Sequence, residues 1–328
     1  MKNQNKKLNV ERETIPIFFA CDDNYIPFLA VTLYSLEQNA DRSFNYKIYV
    51  LNSDNISVEN KFKILAEFEK DVFDIDFVDV TPYLEKFVSK LFTRDYYSKT
   101  TYYRLLIPNM YPQYEKALYL DCDIVINQSI SELYNIDIKD NYVGAIPDMS
   151  VLYMSDEFKD YVENRVGVDS FKHYFNAGIL SMNLKKLREI GFEDIFLKLI
   201  SSVKFDVAQD QDYLNVICKG HVHFIDETWD QMPIPVDIAR PKVPALIHYN
   251  LSFKPWHVDN ILFEEYFWDY ARKTSYIETI YAIKKSYTKE MQENTERVTK
   301  NLIQLTRVQA DDVEENKRIA KIVKSILG

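Results

Sequence analysis

Apolar and polar positions repeat with two different periods along the first eighty residues of this chain. An apolar run at 15–21 (IPIFFAC) ends in Asp22-Asp23-Asn24-Tyr25, after which Leu29, Val31, Leu33 and Leu36 recur at roughly helical spacing between Pro27 and Asn39. YKIYVLNS at 46–53 reads as a second strand. The stretch 57–70, with Phe62, Ile64, Leu65 and Phe68, reads as a helix, and the alternating VFDIDFVDV at 72–80 as a third strand. This βαβαβ order predicts a largely parallel sheet flanked by helices, with ligands outside the carboxyl ends of its strands. The Asp22 loop falls at such an end.

A helical region is expected over 83–111, followed by one strand, ALYLDCDIVI, and by strand-like pieces at 142–148, 177–184, 221–227 and 245–250. His221 and His223 alternate within one of these, a spacing that describes one face of a sheet better than a ligand pair. From Tyr276 onward the pattern is helical, with apolar residues at 287, 291, 298, 302 and 305 among many charges. The chain thus divides into a polar tail (1–14), a main α/β domain (15–275) and a helical C-terminal extension (276–328). The extension ends in a stripe of Ile319, Ile322, Val323 and Ile326 beside Lys317, Arg318, Lys321 and Lys324. Packing on its own domain, homo-oligomer formation and peripheral membrane contact are the three uses of such a stripe.

With 328 residues, 47% of them hydrophobic, there is ample material for a core, and a formal net charge of -10 argues against a nucleic-acid partner. The basic N-terminus lacks a following apolar region, and no stretch approaches the ~18 to 20 apolar residues of a membrane span. A cytoplasmic protein is expected, with at most a peripheral place at the inner face of the membrane. Cys21, Cys122 and Cys218 are far apart in sequence and form no C-x-x-C pair, so they read as small buried residues in a reducing compartment. Six glycines cannot be assembled into G-x-G-x-x-G or G-x-x-x-x-G-K-[ST]. Phosphate must therefore be held by a metal or by side chains.

Asp121 and Asp123 stand in the middle of an apolar run, where an ionised carboxylate costs several kcal/mol unless a cation compensates it. Residues i and i+2 of an extended segment face the same side, so both can address one ion while Cys122 points into the core. Two carboxylates suit Mn²⁺ or Mg²⁺ better than zinc, and such an ion can clamp a diphosphate leaving group. DCDIV also matches the opening motif of haloacid-dehalogenase-like phosphohydrolases, with Asp121 as nucleophile and Asp123 as acid/base. Against that alternative, no glycine is followed by aspartate, and about a hundred residues of βαβ pattern precede the motif.

Six segments in order, ACDDNY (20–25), TTYYRLLIP (100–108), LYLDCDIVI (118–126), YFNAGILSMNL (174–184), QDQDYLN (209–215) and HYNLSFKPWH (248–257), resemble glycosyltransferase family 8, the bacterial galactosyl- and glucosyltransferases related to glycogenin. The resemblance covers about residues 15 to 262 and implies a nucleotide-sugar transferase (GT-A-like) fold. It implies Asp22, Asn24 and Tyr25 as the uridine-binding loop, and Asp121, Asp123 and His248 as metal ligands. Lys254 resembles a lysine on the diphosphate and Arg104 an arginine near the donor sugar and phosphates. Asn176 and Ala177 fall where the family contacts the donor sugar, and Asp210, Gln211 and Asp212 where it places sugar-recognition and candidate nucleophile groups. Taken alone, QDQD reads as a helix cap.

Leu251 departs from the family pattern, which commonly has glycine there, and a side chain at that point puts the geometry of the diphosphate loop in doubt. The resulting expectation is a metal-dependent retaining transferase moving glucose or galactose from its UDP carrier to an acceptor hydroxyl. Within it, Lys254 and the metal stabilise the departing UDP. The acceptor class, a lipid-linked glycan, a cell-wall polymer or a glycosylated protein, is not written in the sequence. A catalytically weak scaffold of the same fold, working through its C-terminal helices, is the non-enzymatic alternative.

Overall fold

A computed structural model describes residues 12–68, 70, 72–84 and 99–328. Its strands in chain order are β1 (Thr14–Ala20), β2 (Asn45–Asn52), β3 (Phe73–Asp79), β4 (Lys116–Leu120), β5 (Ile124–Ile126), β6 (Val143–Pro147), β7 (Phe175–Asn183), β8 (Val222–Phe224) and β9 (Leu246–His248). Among the described residues, seven of them form a sheet in the order β3-β2-β1-β4-β7-β6-β8, and β5 pairs with β9 in a second, small sheet. Parallel pairing joins β1 to β2 and β4, β2 to β3, and β6 to β8, while β7 runs antiparallel to both its neighbours. The mostly parallel sheet expected from the pattern is present, with one reversed strand, β7, between β4 and β6.

Alternate residues of the strands feed two cores on opposite faces of the sheet. Phe18, Tyr49, Leu51, Ala117 and Tyr119 lie in one; Ile15, Ile17, Phe19, Ile48, Val50, Leu118 and Leu120 lie in the other. This two-sided burial is why the strands read as near-continuous apolar runs. The helix Ile26–Gln38, with Pro27 in its first turn, packs on β5 and on the helix Glu264–Ala271. The expected helix at 57–70 forms over Val58–Glu67, and residue 69 lies outside the described residues.

Two expectations need correction. The single strand expected at 117–126 breaks between Leu120 and Ile124: β4 belongs to the main sheet and β5 leaves it for β9. The break sets Asp121 and Asp123 at the carboxyl end of β4, where the backbone of each is still paired, with Gly178 and Tyr249, and the carboxylates meet the cations Arg104 and Lys254 in place of an apolar core. Thr32 Oγ1, 2.8 Å from the carbonyl oxygens of both Cys122 and Ile124, and Ser35 Oγ, accepting from Ile126 N at 3.0 Å, satisfy backbone groups of this segment. The helical region expected at 83–111 appears as short pieces, Thr81–Leu84, a 3₁₀ segment Lys99–Leu106 and Ile107–Met110; residues 85–98 lie outside the described residues. Of the N-terminal tail, 1–11 lie outside them as well.

The C-terminal extension forms helices Ile277–Ser286, Lys289–Asp311 and Val313–Leu327. Thr288 and Asp312 cap the second and third, accepting from Met291 N at 3.2 Å and Glu315 N at 3.1 Å. Leu302, Ala310 and Ile319 are buried in the same core as β4 and β7, and Ile322, Val323 and Ile326 pack against it. The apolar stripe is therefore laid on the chain's own domain. No helix among the described residues is long and apolar enough to cross a membrane.

Candidate active site

One edge of the main sheet gathers the acidic and amide residues. There β1 gives way to Cys21-Asp22, β4 to Asp121 and β6 to Asp148, all at the carboxyl ends of parallel strands. Because β7 runs the other way, its first residues, Asn176, Ala177 and Gly178, arrive at the same edge, and Asp121 N donates to Gly178 O at 2.8 Å. Pairing of β9 against β5 sets His248 opposite Ile124, and Tyr249 N donates to Asp123 O at 2.9 Å. A histidine more than a hundred residues away is thus carried to the acidic pair by two short strands.

Ligand atoms of Asp121, Asp123 and His248 all lie within 4.8 Å of one another. The ring of His248 is buried; Nδ1 stands 3.0 Å from Oδ1 of the fully buried Asp230, which leaves Nε2 facing Asp123 Oδ1 at 3.3 Å and Asp121 Oδ2 at 3.7 Å. Such a carboxylate behind the imidazole fixes ring orientation and tautomer for a metal ligand. The second oxygen of Asp123 is paired with the ammonium of Lys254. Burial would raise the Asp123 carboxyl, but the charges of Lys254 and His248 hold it well below the ordinary range. Burial would also lower His248, and Asp230 and Asp123 instead push it up to about 10.

Three observations fit a divalent oxygen-seeking cation here. The donors are two carboxylates and one imidazole, and the imidazole has its supporting carboxylate. A Cβ placed on Gly178 would come within 2.5 Å of His248 Cε1, 2.7 Å of Asp121 Oδ2 and 2.9 Å of Asn176 Oδ1, so only glycine leaves the cradle open. Asp121, Asp123 and His248, which the family resemblance implies as metal ligands, lie together in the fold.

Arg104 links this cluster to the helix Asp210–Ile217. Its guanidinium is buried, 2.9 Å from Asp210 Oδ2 and 3.5 Å from Asp121 Oδ1, donates to the carbonyls of Thr101 (2.9 Å) and Ala177, and lies over the Tyr119 ring at 4.4 Å. Tyr119 OH in turn donates to Asp121 Oδ1 at 2.8 Å. Burial pushes Asp210 up to about 6 against the opposing pull of Arg104.

Gln211 is held at both ends: Oε1 accepts from Ala177 N and Nε2 donates to Asp148 Oδ2, each at 2.9 Å. Asn176 donates to the same Asp148 oxygen at 3.3 Å and accepts from Gly178 N at 2.7 Å. The other Asp148 oxygen caps the helix Met149–Tyr153 through Ser150 N at 2.8 Å. Asp212 does not share this network. It is fully buried, and its oxygens accept from Tyr174 OH (2.7 Å), Tyr161 OH (2.8 Å) and Ala208 N (3.0 Å), with burial raising it to about 6. The helix begins after a turn in which Gln211 N donates to Ala208 O and Gln209 takes φ 49°, ψ -114°, the first central position of a type II′ turn. No side chain caps it, so the aspartates of QDQD are not the caps that the motif alone predicts.

In the first loop, Asp22 Oδ1 accepts from Tyr25 N at 3.1 Å, and Asn24 and Tyr25 are exposed. The Tyr25 ring meets Phe28 edge-on at 5.5 Å, and Phe28 stacks on the buried Trp256 at 4.0 Å, so this loop and the Lys254-Pro255-Trp256 loop share one aromatic anchor. Leu251 takes φ +52°, the left-handed conformation that glycine adopts freely. The departure is absorbed as local backbone strain. Cys122 is buried in the core as expected, and its thiol donates to the Ala20 carbonyl at 3.3 Å.

Asp148, Asp230 and Gly178 were missed by sequence reasoning. Asp148 had a usable signal, since it ends a predicted strand at the ligand-binding edge; Asp230, in ETWD, had none.

The family model for glycosyl transferase family 8 matches residues 16–260. A Haemophilus influenzae protein carrying a provisional glycosyltransferase name is 33% identical over 258 residues, covering 75% of this chain and 74% of its own. The lipopolysaccharide 1,2-glucosyltransferase of Escherichia coli is 25% identical over 263 residues, 75% of this chain and 74% of its own. Among solved structures, the galactosyltransferase LgtC in complex with donor and acceptor sugar analogues superposes with a TM-score of 0.65 at 29% identity, covering 80% of this chain and 96% of LgtC. The bifunctional glycosyltransferase WbbM superposes with a TM-score of 0.71 at 25% identity over 84% of this chain, which spans 53% of WbbM.

Proposed function

The chain belongs to glycosyl transferase family 8 and has its GT-A fold, and from that membership we propose that it transfers a hexose, glucose or galactose, from a UDP carrier to an acceptor hydroxyl with retention at the anomeric carbon. The phosphohydrolase alternative falls with the same membership. The observation that carries the proposal is the Asp121–Asp123–His248 triangle, backed by Asp230 and joined through Arg104 to Asp210 and its neighbour Gln211.

Asp121, Asp123 and His248 would hold Mn²⁺ or Mg²⁺, which when bound neutralises diphosphate charge. The chain's own groups act around it. Asp22, Asn24 and Tyr25 receive the uracil, with the exposed Tyr25 ring as its stacking surface. Lys254 moves from Asp123 to the diphosphate and stabilises the departing UDP. Arg104, Asn176 and Ala177 position the sugar, and Asp210 and Gln211 face the reacting carbon as the C1–O bond to phosphate lengthens. Gln211 suits this task because both ends of its amide are already fixed, so no reorganisation is needed at the transition state. Asp212, with three donors on its oxygens, holds the helix that presents them. The acceptor is a glycan or a glycan carried on lipid or protein.

UDP release from a panel of UDP-sugars, with Mn²⁺ and with chelator, tests the proposal without needing the acceptor. Metal-dependent release from one hexose donor is expected, and Asp123→Asn should abolish it while leaving the melting temperature within a few degrees. Release that persists in the chelator, or near-normal turnover in Asp123→Asn, refutes the assigned site. UDP binding with no turnover of any donor or added glycan acceptor would point to the scaffold alternative.

A further inference from the structure

The extension that begins at Tyr276 touches the candidate site from behind, at two separate loops. On one side, the buried Tyr276 donates its hydroxyl to Asn60 Oδ1 at 3.0 Å, and Asn60 Nδ2 donates to Asp23 Oδ1 at 2.8 Å. Asp23 also accepts from Ser57 N at 2.8 Å and sits inside the Asp22–Tyr25 loop assigned to the uracil. On the other side, Lys284 reaches from helix Ile277–Ser286 to the Lys254 loop. Its ammonium donates to Pro255 O at 2.7 Å and Val258 O at 3.3 Å, pairs with Asp259 at 2.7 Å and lies 5.0 Å over the Trp268 ring. Tyr287 then stacks flat on His257, ring centres 4.2 Å apart and planes 3° from parallel.

The Lys254 loop needs such support. It contains a leucine in the left-handed region, a conformation that persists only where the surroundings over-determine it. Two of its carbonyls, those of Pro255 and Val258, have Lys284 as their donor. Phe28 holds Trp256 from the side of the first loop, and the extension holds the residues around it.

We propose that the C-terminal extension is a brace for the nucleotide half of the site, with Lys284, Tyr287 and Tyr276 as positioning residues that fix the two loops gripping a nucleoside diphosphate. This rests on the functional reading above for the identity of the ligand, not for the contacts. Its consequence is that affinity for UDP, and not the bond-breaking step, depends on a segment outside the matched family region of 16–260.

The test compares full-length wild type with Lys284→Met and Tyr276→Phe, the second removing only a hydroxyl. Hydrogen–deuterium exchange over 252–259 and 21–26 is read in the absence of ligand, and UDP binding with Mn²⁺ by calorimetry. We expect Lys284→Met to speed exchange in 252–259 and weaken UDP about tenfold, KM for the donor rising with kcat little changed, and Lys284→Arg to recover most of it. Tyr276→Phe should speed exchange in 21–26 with a smaller loss of affinity. Unchanged exchange and unchanged UDP affinity in both variants would overturn the brace. A wild type that binds no UDP would instead remove the functional reading, while the exchange comparison still decides whether the extension holds the loops.

Discussion

At the scale of single residues, Gly178 shows how closely the site is drawn around its ligands. Its conformation is ordinary, so the reason for glycine is space: a methyl group there meets the His248 ring and the Asp121 carboxylate at distances real Cβ atoms do not reach. On the proposed metal site and activity, Gly178→Ala should therefore cut apparent Mn²⁺ affinity ten- to a hundredfold, measured by titrating metal against donor hydrolysis, with a stability loss of about 1–3 kcal/mol. Wild-type metal affinity in that variant would show that the cradle does not matter. The same residue marks the limit of reading chemistry from sequence. Asp121 and Asp123 were conspicuous because carboxylates are out of place in an apolar run, whereas Gly178 and Asp230 matter through neighbours supplied by other strands. Asp230 acts on His248 across a gap of eighteen positions that no local period encodes.

Among elements, the helix Asp210–Ile217 concentrates two buried carboxylates in its first turn, and both have their pKa raised to about 6 by burial. For Asp212, whose ordinary value is 3.8, the folded state holds the proton more tightly than the unfolded chain. Its contribution to stability is thus full below about pH 4 and lost as pH rises through 6. Asp212→Asn should flatten that part of the stability curve, losing roughly 2 kcal/mol less than wild type between pH 4 and 6.5 in urea titrations. Identical slopes in the two proteins would mean that the carboxylate is already ionised at pH 4. Element types were largely legible because two-sided burial writes apolar runs, and the C-terminal helices were legible from their spacing. The break between β4 and β5 was not, since nothing in ALYLDCDIVI says that its second half pairs with a strand 120 residues later. The reversed β7 escaped for the same reason: strand direction follows from crossovers, not from composition.

For the molecule as a whole, the boundary at 275 is a change of pattern that the packing does not repeat. Both cores cross it: Tyr276 and Ile280 lie in the one formed with the helix Ile26–Gln38, and Leu302, Ala310 and Ile319 in the one beneath β4 and β7. Arg165 donates to Asn316 at 3.2 Å, and Gln309 to Asp206 at 3.2 Å, so polar contacts cross it as well. Burial of each large aliphatic side chain contributes about 1.5–3 kcal/mol, and whole domains are stable by only about 5–15 kcal/mol. Ending the chain after residue 275 would uncover both cores at once and remove several kcal/mol. We expect that truncated protein to aggregate or to melt without a cooperative transition, by light scattering and calorimetry. Milder substitutions such as Ile319→Ala should lower stability by about 2–4 kcal/mol and leave the protein monodisperse. If the truncated chain instead melted cooperatively within a few degrees of full length, the extension would be a passenger on a self-sufficient domain.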